Sequence, residues 1–339
     1  MTSKNPVRVG LIGAGRIGSF HGESVARRLV DAGLVAIADP AEGAAAKLAA
    51  TLGVDNAYTD VGAMLAQPDL EAVIIATPAR FHTNILVQAA EAGKAIFCEK
   101  PMSLTLEDAD RAIAAARSSG VPLQVGFNRR WDQAFAEGRA AIDAGKIGAP
   151  QLIRSLTRDP GPFGADPDKI PLWTIFYETL IHDFDTLLWL NPNATPVEVS
   201  AMADALVRPD ARDKGFLDTA VVNIRFDNGS IAVAEANFCA MYGYDIRGEV
   251  FGSGGMVTMG DVRRSSMTLF DKNGVSNDTW RRDTEHFVHG YTAQLASFVN
   301  SVRSGDIGDA PSGIDARNAL AIALAAIESV SKNAPVRLG

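Results

Sequence analysis

Twelve residues near the start constrain this chain more than any others: Val7–Gly18 reads VRVGLIGAGRIG. An apolar run (Val7, Val9, Leu11, Ile12) leads into Gly13, Gly15 and Gly18 at GxGxxG spacing, with Arg16 and Ile17 inside the motif, and an apolar-periodic helix follows. A buried strand ending in such a turn lets the backbone approach a pyrophosphate, whose charge the N-terminus of the next helix stabilises. Glycine-rich turns are common, so their company matters. The next strand, LVAIAD, ends at Asp39, 21 residues past Gly18, where a carboxylate accepts hydrogen bonds from a ribose diol. Pro40 and Ala41 offer no cation to a 2′-phosphate. That favours NAD over NADP, although Arg16 could reach a phosphate. The competing use of Asp39 is as a cap for the next helix.

Further along, short Val/Ile-rich runs alternate with Ala-rich helical patterns as far as residue 125. Strands are expected at 7–12, 34–38, 72–76, 95–98 and 122–125, without the polar alternation of a half-exposed sheet, and so buried on both faces. Helices are expected at 17–32, 41–52, 60–66, 82–92 and 105–119. This is the pattern of a Rossmann, doubly wound parallel sheet. After residue 126 the period changes to two, at 151–158, 197–207, 217–226, 230–238, 244–252 and 256–259, with Asp227-Asn228-Gly229 as a hairpin turn. A large, mostly antiparallel open sheet is expected there, with a helix near 174–190 and a final helical pair at 284–303 and 312–331. The fold class is therefore α/β plus α+β. The domains divide as 1–125, nucleotide-binding, and 126–339, substrate-binding and oligomerisation.

Composition excludes several classes. With 339 residues, 47% hydrophobic and 21% charged, the chain can bury two cores. A net charge of −8 argues against nucleic acid as a main partner. The two cysteines, Cys98 and Cys239, lack CxxC spacing, which suits a reducing cytoplasm. No signal pattern opens the chain, and no apolar stretch is long enough to span a bilayer. An open sheet in a small second domain needs a cover for its outer face, so a homo-oligomer is expected.

Two constellations carry chemistry. Glu99-Lys100-Pro101 follows the strand at 95–98, which puts Lys100 where ligands bind in open α/β folds. Thr77-Pro78 ends the third strand in the same placement, with His82 starting the helix beyond. Farther on, Glu178, His182 and Asp185 stand at i, i+4 and i+7, one face of a helix whose opposite side carries Leu180, Ile181, Phe184, Leu187 and Leu188. A solvated face is the bland use of that stripe. Zinc or iron is another, but no second His or Cys cluster completes a metal shell.

GAGRIG, the TPxxxH of Thr77–His82, CEKP and the ExxxHxxD helix, in this order, resemble the Gfo/Idh/MocA oxidoreductase family over essentially the whole chain. Gly126–Asp132 (GFNRRWD) and Tyr242–Ile246 (YGYDI) are most similar to its inositol 2-dehydrogenases. The resemblance implies that Lys100 lies beside the nicotinamide and the reacting hydroxyl, and that His182 is the general acid/base. It implies further that Arg129, Asp185 and Tyr244 line a polyol pocket, with Trp280 and Tyr291 in an aromatic wall; Asn128 joins them as a donor and acceptor for buried ring hydroxyls. The cofactor would be held by Gly13, Gly15, Arg16, Ile17, Gly18, Asp39, Thr77, Pro78, His82, Glu99 and Lys100, and a tetramer or dimer is implied. The family usually has Asp where this chain has Glu178, so the Lys-Asp-His triad is altered by one methylene.

The expected reaction is NAD-dependent oxidation of a secondary hydroxyl on a cyclic polyol, with no metal. An unperturbed imidazole titrates near neutrality, at roughly 6.5, which suits a base at that hydroxyl. A lysine ammonium would stabilise the alkoxide as it forms. Alternatives are a dehydrogenase of an aldose or other sugar, a non-redox NAD-containing sugar-binding or regulatory protein, and redox-neutral use of a tightly held NAD.

Overall fold

The computed structural model describes residues 5–161, 170–214 and 216–339. The chain divides into two compact units: Met1–Trp131 with His289–Arg317, and Asp132–Val288 with Asn318–Gly339.

In the first unit the expected parallel strands form β1 (Val7–Ile12), β2 (Ala32–Ala38), β4 (Ala72–Ile75), β5 (Ala95–Cys98) and β6 (Leu123–Val125). A short β3 (Asn56–Tyr58), absent from the sequence reading, completes a six-stranded sheet in the order β3-β2-β1-β4-β5-β6, parallel throughout. β3 is solvent-exposed, so it lacks the apolar run that marks the others. The intervening helices are α1 (Arg16–Arg27), α2 (Ala44–Leu52), α3 (Val61–Leu65), α4 (His82–Glu91) and α5 (Leu106–Ser119). Strand order reverses between β1 and β4, and the ends of these strands are where an open α/β sheet binds ligands.

The 125/126 division expected from the sequence is linear, whereas the first unit includes a later return of the chain. Leu295, Phe298 and Val299 enter one hydrophobic cluster with Val7, Val9, Leu11, Ile74 and Phe97. Burying Phe298 and its neighbours against the sheet is worth about 1.5–3 kcal/mol per side chain. That is reason enough for this helix to join the first core.

The second unit opens with α6 (Gln133–Asp143), another element the sequence reading lacked. Asp132 caps it by accepting from the Ala134 and Phe135 amides at 3.0 and 3.3 Å. After β7 (Pro150–Arg158) and α7 (Ile181–Trp189) come β8 (Pro196–Asp204), β9 (Thr219–Phe226), β10 (Ile231–Asn237), β11 (Asp245–Gly252), β12 (Gly255–Met259), β13 (Leu269–Asp271) and β14 (Gly274–Ser276). The chain ends through α8 (Asp283–His286), α9 (Val288–Ser304), α10 (Gly313–Lys332) and β15 (Val336–Arg337). The seven-stranded sheet runs β12-β11-β7-β10-β9-β8-β15, antiparallel except for the β7–β10 pair. The DNG turn joins β9 to β10 as expected.

One row across this sheet is both apolar and exposed. Met256 pairs with Phe251, Phe251 with Leu152, and Leu152 with Ile231, so the four side chains share one face. Beyond them lies an ion network: Arg154 on Glu235 at 2.9 Å, Arg158 on Glu235, and Arg247 on Asp245 at 2.6 Å.

Candidate functional site

The glycine turn is built by steric necessity. Gly13 has φ +104°, and a Cβ there would stand 2.6 Å from the Ala76 carbonyl oxygen. A Cβ on Gly18 would lie 1.9 Å from the Gly13 carbonyl oxygen. A Cβ on Gly15, by contrast, would meet nothing within 4 Å. The turn is thus packed from below and open above, where α1 begins with neither a side-chain cap nor an acid in its first turn. That is the cradle a pyrophosphate requires.

Asp39 secures this turn from the end of β2. Its Oδ2 accepts from the Ala14 amide at 2.7 Å and its Oδ1 from the Ala41 amide at 2.8 Å. The N-cap of α2 is Gly43, so Asp39 does not cap that helix. At the end of β4 the Thr77 hydroxyl oxygen is buried with no hydrogen-bond partner among the described residues. A buried unpaired hydroxyl costs about 1–3 kcal/mol, and its place at the switch point suits a cofactor group. Pro78 and Arg16 are exposed beside the turn, and Ile17 is partly buried.

His82 is 1% exposed and ties two of these loops together. Its Nε2 lies 2.7 Å from the Thr77 oxygen and its Nδ1 2.8 Å from the Pro101 oxygen. Glu99 is also buried, with Oε1 at 2.6 Å from His21 Nε2 and Oε2 accepting from the Lys100 amide at 3.2 Å. Lys100 follows on, partly exposed at the carboxyl edge of the sheet. Just past β6, Asn128 and Arg129 are 3% and 2% exposed. Arg130 pairs with Asp315 at 3.0 Å. Burial pushes the Asp315 carboxyl up, but Arg130 and the Ser312 hydrogen bonds outweigh it and hold the group below the ordinary range.

The Glu178–His182–Asp185 stretch departs from the regular helix expected. Ile175–Leu180 is a π-helix and only Ile181–Trp189 is α-helical, so Glu178 and His182 belong to segments of different pitch. Single π turns concentrate at functional sites. Trp173 enters the segment at φ +65°, a strained conformation for a bulky residue, costing about 1–3 kcal/mol. Exposure falls along the stripe: Glu178 is exposed, His182 partly buried and Asp185 1% exposed. A wholly solvated face is therefore ruled out. Leu188, expected on the buried side, is only partly covered.

Asp183, which the sequence reading passed over, is fully buried. It accepts from the Ser155 hydroxyl at 2.6 Å and the Thr157 hydroxyl at 2.7 Å, pinning α7 to β7 beside His182. Asp183→Ala takes an acceptor from both hydroxyls and should lower stability by about 1–3 kcal/mol in urea unfolding.

Tyr244 is partly buried, and its amide donates to the Trp280 oxygen at 2.9 Å. Trp280 stacks on His286 at 5.2 Å. Tyr291, in the first unit, packs edge-on against Phe20 and His21. Asp245 of the same YGYDI run is spent on Arg247 and on the Tyr242 hydroxyl, 2.8 Å away. No three His, Cys, Asp or Glu side chains among the described residues are grouped as a metal ion requires. No described helix is long and apolar enough to cross a membrane.

The strand order, the glycine turn at the switch point and the acid closing β2 define a dinucleotide-binding protein of the Rossmann class. The chain belongs to the Gfo/Idh/MocA oxidoreductase family: residues 7–127 match its NAD-binding Rossmann fold and residues 135–258 its C-terminal domain. It is 36% identical to the myo-inositol 2-dehydrogenase of Thermotoga maritima, over 98% of both chains. Identity is 35% to the scyllo-inositol 2-dehydrogenase (NAD(+)) of Bacillus subtilis, over 99% of this chain and 97% of the relative. The crystal structure of scyllo-inositol dehydrogenase from Lactobacillus casei, with bound NAD(H) and scyllo-inositol, superposes with a TM-score of 0.93 at 27% identity, over 98% of this chain and 99% of that one. The cofactor of this oxidoreductase is NAD.

Proposed function

We propose that the protein oxidises a secondary hydroxyl of a cyclic polyol, myo- or scyllo-inositol or a close analogue, to the ketone. The observation that carries this reading is the full-length identity of 35–36% with two inositol 2-dehydrogenases. NAD, when bound, supplies the redox chemistry. The turn of Gly13, Gly15, Arg16, Ile17 and Gly18 receives its pyrophosphate and Asp39 its ribose. Thr77, Pro78, His82, Glu99 and Lys100 shape the remainder of its site.

His182 takes the hydroxyl proton, and the Lys100 ammonium stabilises the negative charge that develops on the oxygen. Glu178 orients or assists His182 in place of the family's Asp. Asn128, Arg129, Asp185 and Tyr244 supply donors and acceptors for the other hydroxyls, each of which needs a partner once buried.

The test is a panel of inositols and aldoses assayed with NAD and with NADP. Reduction of NAD by one or more inositols is expected. No reduction with any of them would overturn the reading, and a response confined to aldoses would move it to a sugar dehydrogenase.

We place the protein in a reducing cytoplasm as a homo-oligomer. Both cysteines are free thiols, and burial, followed by the Glu99 charge, pushes that of Cys98 well above the ordinary range. The exposed apolar Met256–Phe251–Leu152–Ile231 row is the face we assign to a second copy of the chain. Phe251→Glu is expected to shift light-scattering mass toward the monomer without unfolding the chain.

A further inference from the structure

We infer that His21 is a positioning residue for Lys100, acting through Glu99; the inference rests on the proposed part of Lys100 in the reaction. Glu99 divides its carboxylate between two duties. Oε1 meets His21 Nε2 at 2.6 Å, and Oε2 holds the Lys100 amide at 3.2 Å. The direction in which the lysine leaves β5 therefore depends on where that carboxylate stands.

His21 is a fixed post for it. The ring is fully buried, with Phe97 at 5.6 Å and Tyr291 at 5.8 Å, both edge-on. On the other side Gly126 leaves just the room the carboxylate needs, since a Cβ there would lie 3.0 Å from Oε1. Burial pushes Glu99 up. The hydrogen bond and charge of His21, with the charge and amide of Lys100, outweigh burial and hold it below the ordinary carboxylate range.

A buried carboxylate is costly to keep even when it is paired, and the pair gives little stability in return. The proposed mechanism assigns no proton or substrate contact to either residue. What the pair does supply is a link between two parts of the NAD-binding unit. His21 lies on α1, less than one turn beyond Gly18, so the helix that starts at the phosphate cradle also sets the lysine.

The test is steady-state kinetics on an inositol substrate, with active molecules counted by NAD titration. His21→Leu should lower kcat by about ten- to a hundredfold, the scale of a small misplacement of a reacting group. KM for NAD should stay within about twofold. His21→Gln, whose amide can still donate to Oε1, should recover most of the loss. If His21→Leu does not fold, Gly126→Ala presses on Oε1 while leaving His21 and Lys100 in place, and should give the same kcat-selective loss.

Full kcat per NAD site in His21→Leu or Gly126→Ala, or a Gln variant no better than Leu, would overturn the inference. Lys100→Met in the same assay separates the two failures. If it is inactive while His21→Leu is fully active, only the positioning role falls. If Lys100→Met itself keeps full rate, the part assigned to Lys100 falls, and the positioning role with it.

Discussion

Lys100→Met is expected to lower kcat by about 10²–10³-fold, equivalent to about 2.7–4 kcal/mol of transition-state stabilisation, while NAD binding stays within about twofold. The reason lies in what the side chain does and what its backbone does. In the proposed reaction the ammonium answers charge that exists only as the hydroxyl loses its proton, so its removal should fall on kcat rather than on binding. The backbone is held separately, through the Glu99–Lys100 amide contact, which methionine retains. Methionine also matches the stem in length, so the local packing survives. His182→Asn should cost about 10²–10⁴-fold and remove the limb of the pH–rate profile that belongs to the base. Retention of full kcat by Lys100→Met would show that the oxyanion is stabilised elsewhere.

The parts of this fold that were legible in the sequence are those where burial is one-dimensional. Val7–Ile12, Ala72–Ile75 and Ala95–Cys98 are buried on both faces, and an unbroken apolar run announces as much. β3 announces nothing, because an exposed three-residue edge strand has no burial to encode. α6 was hidden by Gly138, which weakens helix propensity yet is needed, since a Cβ there would stand 2.4 Å from the Met259 sulfur. Its Asp132 cap was the signal that could have found it. The return of Leu295, Phe298 and Val299 to the first core was out of reach: periodicity shows that a helix has a buried face, not what it is buried against.

The candidate site divides in the same way. Gly13, Gly18 and Asp39 act within a short loop or across one strand pair, and their spacing encodes them. The His21–Glu99 contact joins residues 78 apart, and no spacing rule reaches that far. Nothing in the spacing singles out Asp183, because its partners Ser155 and Thr157 lie on β7, 28 and 26 residues away in sequence. The π turn at Ile175–Leu180 is a choice of backbone hydrogen-bond register, which side-chain periodicity does not specify.

Gly15→Ala and Gly18→Ala differ by one methyl each and are expected to fail in opposite ways. At Gly18 the new Cβ would sit 1.9 Å from the Gly13 carbonyl oxygen, a backbone atom that cannot step aside. The turn must open, and Gly13 cannot absorb the change because it already stands at φ +104° against Ala76. Overpacking of this kind costs about 1–3 kcal/mol, so urea unfolding should show lost stability and NAD titration lost binding together. At Gly15 the backbone is extended, with φ −73° and ψ −169°, a conformation alanine adopts without strain. A Cβ there meets nothing of the protein. Folding should be unchanged or stabilised by up to about 1 kcal/mol through the unfolded chain. The methyl would nevertheless project into the space the proposed site gives the pyrophosphate. A clash of about 1–3 kcal/mol weakens NAD by roughly ten- to a hundredfold. A stable Gly15→Ala protein with weakened NAD binding would place the pyrophosphate over that glycine, and undiminished affinity would place it elsewhere.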